Sequence, residues 1–364
     1  MTTVAPKPVL DERTRALLDV MQEAFPLDPR PYAAMGARLD MSESEVLSRL
    51  AEARAAGVVR QICAIYDTKA LGYSYALVAM QVAPEQLARA ARIVNTHPGV
   101  SHNYKRNHRF NMWFTVAMPP GHDLSEVIQR LHVLTGADST REMPTLHLFK
   151  IGVTLDMTAT RALDARGVPE YTQERRDQAR DGALTAEDIE FIRATQGDFE
   201  DIAEPFASGA AALGCDVATV LERAGKLAER GFLRRFAAIL NHRQAGFRAN
   251  GMALWRVPAE RTEEVGRFVA GYRNVSHCYE RPTYPDWPYS VFSMIHHQKM
   301  AGVEETAEAI SREIGITDYE VLYSTTEYKK VRLPYFIDSY DYWEAVCVAA
   351  ASSSASMATS EVAA

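Results

Sequence analysis

Val100-Ser101-His102-Asn103-Tyr104-Lys105-Arg106 returns 175 positions later as Val275-Ser276-His277-Cys278-Tyr279-Glu280-Arg281. The correspondence extends from Asn111-Met112-Trp113-Phe114-Thr115-Val116 onto Asp286-Trp287-Pro288-Tyr289-Ser290-Val291. Upstream, Gly57-Val58-Val59-Arg60 answers to Gly231-Phe232-Leu233-Arg234, and Leu71-Gly72-Tyr73 to Ala245-Gly246-Phe247. A period this long means a duplicated domain, not a solenoid of short repeats. Whatever one half folds into, the chain carries its structural partner covalently.

Each half begins with helical spacing. Residues 11–55 hold three pieces, marked by Leu17, Leu18 and Met21, then Tyr32, Met35 and Leu39, then Val46, Leu47 and Leu50 behind Ser42 and Glu45 in capping-box spacing. Gly57 ends the third, and Val58–Tyr66 reads as a strand or hairpin wing, completing a winged helix-turn-helix pattern. A βαββαβ pattern follows: Tyr73–Val82, Pro84–Asn95, Val100–Arg106, Met112–Met118, Leu124–Leu134 and Thr145–Val153. The second half repeats both patterns, starting at Thr185. The fold class expected is α+β. Its division is a tail over 1–10, a winged helix-turn-helix over 11–66 and a βαββαβ domain over 67–155. A charged linker spans 156–183, the second copies span 184–240 and 241–335, and residues 336–364 form a C-terminal segment with a disordered tail.

At 364 residues, 47% hydrophobic and 24% charged, the composition is that of an ordinary globular protein. Without a long apolar run or a signal-peptide core, a cytoplasmic location is expected. Cys63, Cys215, Cys278 and Cys347 are scattered, which argues against a zinc or iron–sulfur site. A helix-turn-helix suggests DNA, but the charge does not. Residues 1–60 carry eight Lys/Arg against nine Asp/Glu, and residues 181–235 six against eleven. Phosphate contacts need basic residues in excess. The helical domains are therefore read as scaffolding, and DNA as an unexpected partner.

The chemistry concentrates in Ser101–Phe110, which holds Lys105, Arg106, Arg109, His102 and His108 and no acid. Strand alternation puts His102, Tyr104, Arg106 and His108 on one face, matched in the second half by His277, Tyr279, Arg281 and Thr283. A single strand histidine is commonly an ordinary surface residue. Its pairing with Tyr and Arg at period two, twice over, points to a site. Arginine grips a carboxylate with two hydrogen bonds, histidine donates a proton near neutral pH, and tyrosine orients or donates. Trp113 and other aromatics suit a core or the wall of a flat apolar pocket. His296 and His297 end a strand, with His122 opposite His297 in the repeat, and are read as solvated.

The winged helix followed by this small sheet resembles the leucine-responsive regulator/AsnC family, whose sheets pair face to face in dimers. Two copies in one chain then imply an internal pseudo-dimer. The segment from His102 to Thr115, an H-x-Y-x-R…H…N-x-W-F motif, is similar to the siroheme decarboxylases, and more narrowly to the fused D–L form of haem d1 biosynthesis in denitrifying bacteria. The resemblance implies removal of carbon dioxide from the C12 and C18 acetate side chains of siroheme, giving 12,18-didecarboxysiroheme. It implies no cofactor beyond the iron-tetrapyrrole substrate, and possible further oligomers or helper subunits. The family's histidines and arginine would fall on His102, His108 and Arg106, and on His277 and Arg281. Pro282, Thr283, Pro285 and Pro288 stand where the first half has Asn107, His108, Phe110 and Trp113, so the second site departs from the motif. The residues expected to act are His102, His108, Arg106 and Tyr104. Lys105, Arg109, Trp113, His277, Tyr279 and Arg281 are expected to bind. Whether a histidine gives a proton or ligates iron stays open, as does the alternative of an AsnC-type regulator sensing an anion or haem, or a tetrapyrrole carrier.

Overall fold

The computed structural model describes residues 10–23, 25–152, 157, 166–167, 169, 171–178, 182–241 and 249–346. The expected tail over 349–364 and Cys347 lie outside them. Three helices open the chain, α1 (Glu12–Glu23), α2 (Pro31–Arg38) and α3 (Glu43–Ala55). Ser42 caps α3 by accepting the Glu45 amide at 3.1 Å, while the Glu45 carboxylate turns to Arg49 at 2.9 Å instead of closing the box. Strand β1 (Val59–Tyr66) follows Gly57, whose φ of 68° is left-handed and favours glycine. Then come β2 (Ser74–Gln81), α4 (Leu87–Thr96), β3 (Val100–Arg106), β4 (Met112–Met118), α5 (Leu124–Thr135), β5 (Ser139–Pro144) and β6 (His147–Ile151). A short α6 (Gln173–Gln178) leads to α7 (Ala186–Thr195), which Thr185 and Asp188 close with a full capping box. The second half continues with α8 (Ala207–Leu213), α9 (Val217–Glu229), β7 (Leu233–Leu240), β8 (Ala249–Trp255), α10 (Thr262–Ala270), β9 (Val275–Glu280), β10 (Val291–His297), α11 (Met300–Ile314) and β11 (Tyr319–Lys330).

The described residues divide into two compact units, one drawn from Met1–Leu71 with Thr145–Tyr323, the other from Gly72–Pro144 with Ser324–Ala364. In the larger unit the helices of both halves share a core. Phe25 of the first half meets Phe199 and Phe206 at ring separations of 5.9 and 6.3 Å, and Phe236 stacks on Phe199 at 5.2 Å. The wing, expected as a strand or hairpin, is a single strand: β1 pairs antiparallel with β7, its counterpart in the other half, from Val59↔Leu240 to Tyr66↔Leu233. A two-residue periodicity shows that a segment is a strand but carries no sign of its partner. The unit's sheet runs β6-β9-β10-β8 and ends on Tyr319–Tyr323 of β11. Helices α10 and α11 cover one face, burying Ala253, Trp255, Val265, Val291, Ile295 and Ile310.

The smaller unit's sheet runs β5-β2-β4-β3, with Ser324–Lys330 of β11 beside β3. Two corrections concern strands. Ser139–Pro144, where the sequence pattern showed no element, is the edge strand beside β2; its polar Ser-Thr-Arg-Glu start hides it. Thr145–Val153, expected to close the first half's sheet, supplies β6, which pairs with β9 of the second half. The linker is also less solvated than its composition implies. Tyr171 donates to Asp67 at 2.6 Å and Arg176 pairs with the same carboxylate at 3.1 Å, all three buried.

Candidate active site

Strand β3 presents His102, Tyr104 and Arg106 together. The imidazole and phenol rings lie 6.1 Å apart, tilted by 35°, and the Arg106 guanidinium sits 5.8 Å from the Tyr104 ring centre. The face is the one away from the helices: Asn103, one position off, is buried and donates to Asn95 of α4 at 3.0 Å. Strand β9 builds the same row, with His277 and Tyr279 6.0 Å apart at 34° and Arg281 4.8 Å from the Tyr279 ring. Both arginines are withdrawn from water, 6% of Arg106 and 7% of Arg281 being exposed. Burial pushes Arg106 down to about 10, with Tyr104 partly opposing the shift. A cation held this dry is set to gain from an incoming carboxylate, because Coulomb attraction strengthens as water is excluded.

The other expected residues divide. Trp113 of β4 stands opposite Tyr104 in register, 1% exposed, its indole donating to the Phe110 carbonyl at 2.6 Å. Expected to extend the strand face, His108 does not: the strand ends at Arg106 and residues 107–110 bend. In that turn His108 Nδ1 accepts the Phe110 amide at 3.0 Å and its ring stacks on Phe110, centroids 6.0 Å apart. Arg109 lies 5.0 Å from the same ring centre. Alternation turns Lys105 to the opposite face, where it is exposed, so the structure does not bring it to the row. In the second half the turn holds Trp287, 1% exposed, against Tyr289 and Phe292 at 5.4 and 6.1 Å.

Three residues of this neighbourhood escaped the sequence reading. Arg141 of β5 points its guanidinium at Phe110, 5.7 Å from the ring centre, from the strand that polar composition hid. Ser101 and Ser276 bond the Nδ1 atoms of His102 and His277 at 2.9 and 2.8 Å. Their signal was in plain view, as the residue before each repeated histidine. His296, read as solvated, instead reaches Ser276 at 2.7 Å. Among the described residues no group of three or more His, Cys, Asp or Glu is gathered as a metal site, and Cys63, Cys215 and Cys278 form no disulfide.

Each half is a helical domain followed by a sheet domain with one anion-ready face, and the comparisons define both parts. The AsnC-like ligand binding domain family matches residues 70–150 and 244–329, and the siroheme decarboxylase NirDL-like HTH domain matches 14–60 and 188–234. A siroheme decarboxylase of Hydrogenobacter thermophilus is 37% identical, over 90% of this chain and 96% of its own. The siroheme decarboxylase NirDL subunit of Paracoccus denitrificans is 32% identical, over 87% of this chain and 95% of its own. A crystal structure of the siroheme decarboxylase NirDL in co-complex with an iron-uroporphyrin III analogue matches with a TM-score of 0.71 at 32% identity, covering 93% of this chain and 99% of that one. The chain belongs to the siroheme decarboxylase family.

Proposed function

We propose that this chain is a carboxy-lyase that removes carbon dioxide from the C12 and C18 acetate side chains of siroheme, yielding 12,18-didecarboxysiroheme for haem d1 biosynthesis. The observation that carries the reading is the row of imidazole, phenol and buried guanidinium, built by β3 and again by β9 with the residue that follows it, the imidazole and phenol 6.1 and 6.0 Å apart. Siroheme is a flat polycarboxylate. Arg106, and Arg281 in the other half, anchor carboxylates by charge-assisted hydrogen bonds. Tyr104 and Tyr279 set the ring edge, and Trp113 backs the apolar wall. The bond between the methylene and its carboxylate breaks and the electron pair stays on the methylene carbon. A proton from imidazole forms the new C–H bond, leaving a methyl group and free carbon dioxide. His102 stands on the face itself and is the acid; His108, one turn away with Arg109 and Arg141 around Phe110, holds a second carboxylate. The substrate brings its own tetrapyrrole, so no separate cofactor is invoked.

The ion pairs of the helical domains support this over a regulator's role. Arg49 is bound to Asp11 and Glu45, Arg54 to Asp198 and Asp201, and Arg230 to Asp188, all at 2.7–2.9 Å. Arg49 and Arg54 belong to α3 and Arg230 caps α9, the helices a helix-turn-helix would turn toward phosphate, and Lys226 of α9 is likewise paired with Glu222. The Paracoccus relative is named as a subunit, so we include a further protein partner in the reading.

The test is anaerobic incubation of the purified chain with siroheme, followed by mass spectrometry. The expected result is stepwise loss of one and then two carbon dioxide units. An unchanged mass with siroheme bound would reduce the protein to a carrier. His102→Ala should abolish turnover at the first half's site and spare binding there, leaving only what the second half's row contributes, whereas His108→Ala should weaken binding first.

A further inference from the structure

Ser101 and Ser276 sit where the ladder slips. The register of β3 against β4 passes from Val100↔Val116 to His102↔Thr115, so Ser101 is the extra residue of a β-bulge. The register of β9 against β10 passes from Val275↔Ile295 to His277↔Met294, which makes Ser276 the extra residue there. A bulge re-aims a side chain that alternation would send elsewhere. In both halves it lets the serine hydroxyl reach the neighbouring imidazole. Beyond that hydroxyl the halves diverge: Ser101 Oγ continues to Thr115 Oγ1 at 2.8 Å, while Ser276 Oγ continues to His296 Nε2 at 2.7 Å.

We propose that the bulged serines are positioning residues for the two row histidines, and that in the second half Ser276 also relays a proton from His296 to His277. The inference rests on reading His102 as the proton donor, and it extends that role to His277, its counterpart in the second half. A hydroxyl gives one proton and accepts others, so it can stand between two ring nitrogens. His296 passes its Nε2 proton to Ser276 Oγ as the serine passes its own to His277 Nδ1. His277 gives its Nε2 proton to the methylene carbon. One proton reaches carbon, His296 ends neutral, and water recharges it. In the first half the chain ends on a threonine hydroxyl, which does not titrate near neutral pH, so Ser101 holds the ring without supplying it.

The test compares Ser101→Ala, Ser276→Ala, Ser276→Thr and His296→Gln with His102→Ala and His277→Ala, measuring kcat, KM and the absorbance of bound siroheme. Removing the hydrogen-bond partner behind a metal-bound histidine costs about 10- to 100-fold, and a loss on the same scale is expected behind a proton-donating one. The expected result is a loss of that size in kcat for each serine-to-alanine variant, with KM within about threefold, and near-parental turnover for Ser276→Thr. His296→Gln, which keeps a hydrogen bond but cannot titrate, should lower kcat only for the second half's site, read in a His102→Ala background. Nitrogen-15 NMR of labelled histidines reads the tautomer without turnover and covers a serine variant that folds poorly. Parental kcat and unchanged histidine signals in both serine-to-alanine variants would overturn the proposal. Full turnover in His102→Ala and His277→Ala together would instead remove the decarboxylase site beneath it.

Discussion

Arg106 concentrates the electrostatic logic of the molecule in one side chain. Its guanidinium is buried beside Tyr104, and desolvation pulls it down to about 10. At neutral pH it is still a cation, held where water screens it little. Arg106→Gln should therefore weaken siroheme binding by about 10- to 100-fold, the worth of one charged hydrogen bond of about 1.5–3 kcal/mol. Arg106→Lys should recover only part, because an ammonium cannot grip a carboxylate with two parallel bonds. Titrating siroheme absorbance against each variant measures this, and wild-type affinity in Arg106→Gln would remove the arginine from the site. The residue was legible in the sequence because period two is a local property. His108 was not, because a strand's end depends on the turn that follows, and there Phe110 captures the ring.

Among the elements, the linker carries the least expected structure. Charge-rich and without apolar period, it reads as a solvated tether, yet its described part is pinned by Asp67. Desolvation would raise the Asp67 carboxyl, but Arg176, the Tyr171 hydroxyl and the Ala70 amide together hold it below its ordinary value. Removing one member of such a buried pair strands the other charge, and Arg176→Ala should lower stability by about 3 kcal/mol or more. Because the folded-state carboxyl is depressed, its stabilisation is present above the unfolded value of about 4 and is lost as pH falls through the folded one. Melting curves from pH 7 down to pH 3 should accordingly fall less steeply in Arg176→Ala than in wild type, by the share Asp67 contributes, since other depressed carboxylates such as Asp11 and Asp188 titrate in both. Parallel declines would exclude the pair as the source of any such share. Strand β5 teaches a related lesson: an edge strand with one wet side tolerates Ser, Thr, Arg and Glu, so composition alone conceals it.

For the whole molecule, duplication is an architectural necessity. Phe25 of the first half fills a core completed by Phe199, Phe206 and Phe236 of the second, and β1 finds its only ladder partner among the described residues in β7. Strand β6 likewise belongs to the first half by sequence and to β9 by pairing. Expressed apart, residues 1–183 and 184–364 would each expose an aromatic face and an unpaired strand edge. Each alone should be aggregation-prone, and co-expression should restore a 1:1 complex, read by light scattering. Two separately soluble, folded monomers would refute the shared core.

The amino-acid order alone settled what depends on near neighbours. It determined the doubling, the helices and most strands through periods of 3.6 and 2, and the histidine, tyrosine and arginine row through that same alternation. Only the tertiary structure decided the rest: β6 and β11 choosing strands far along the chain, the bulges turning Ser101 and Ser276 onto imidazole nitrogens, and the seating of Arg176 on Asp67. Such choices are set by register and burial between distant segments, and a short window of residues holds no record of them.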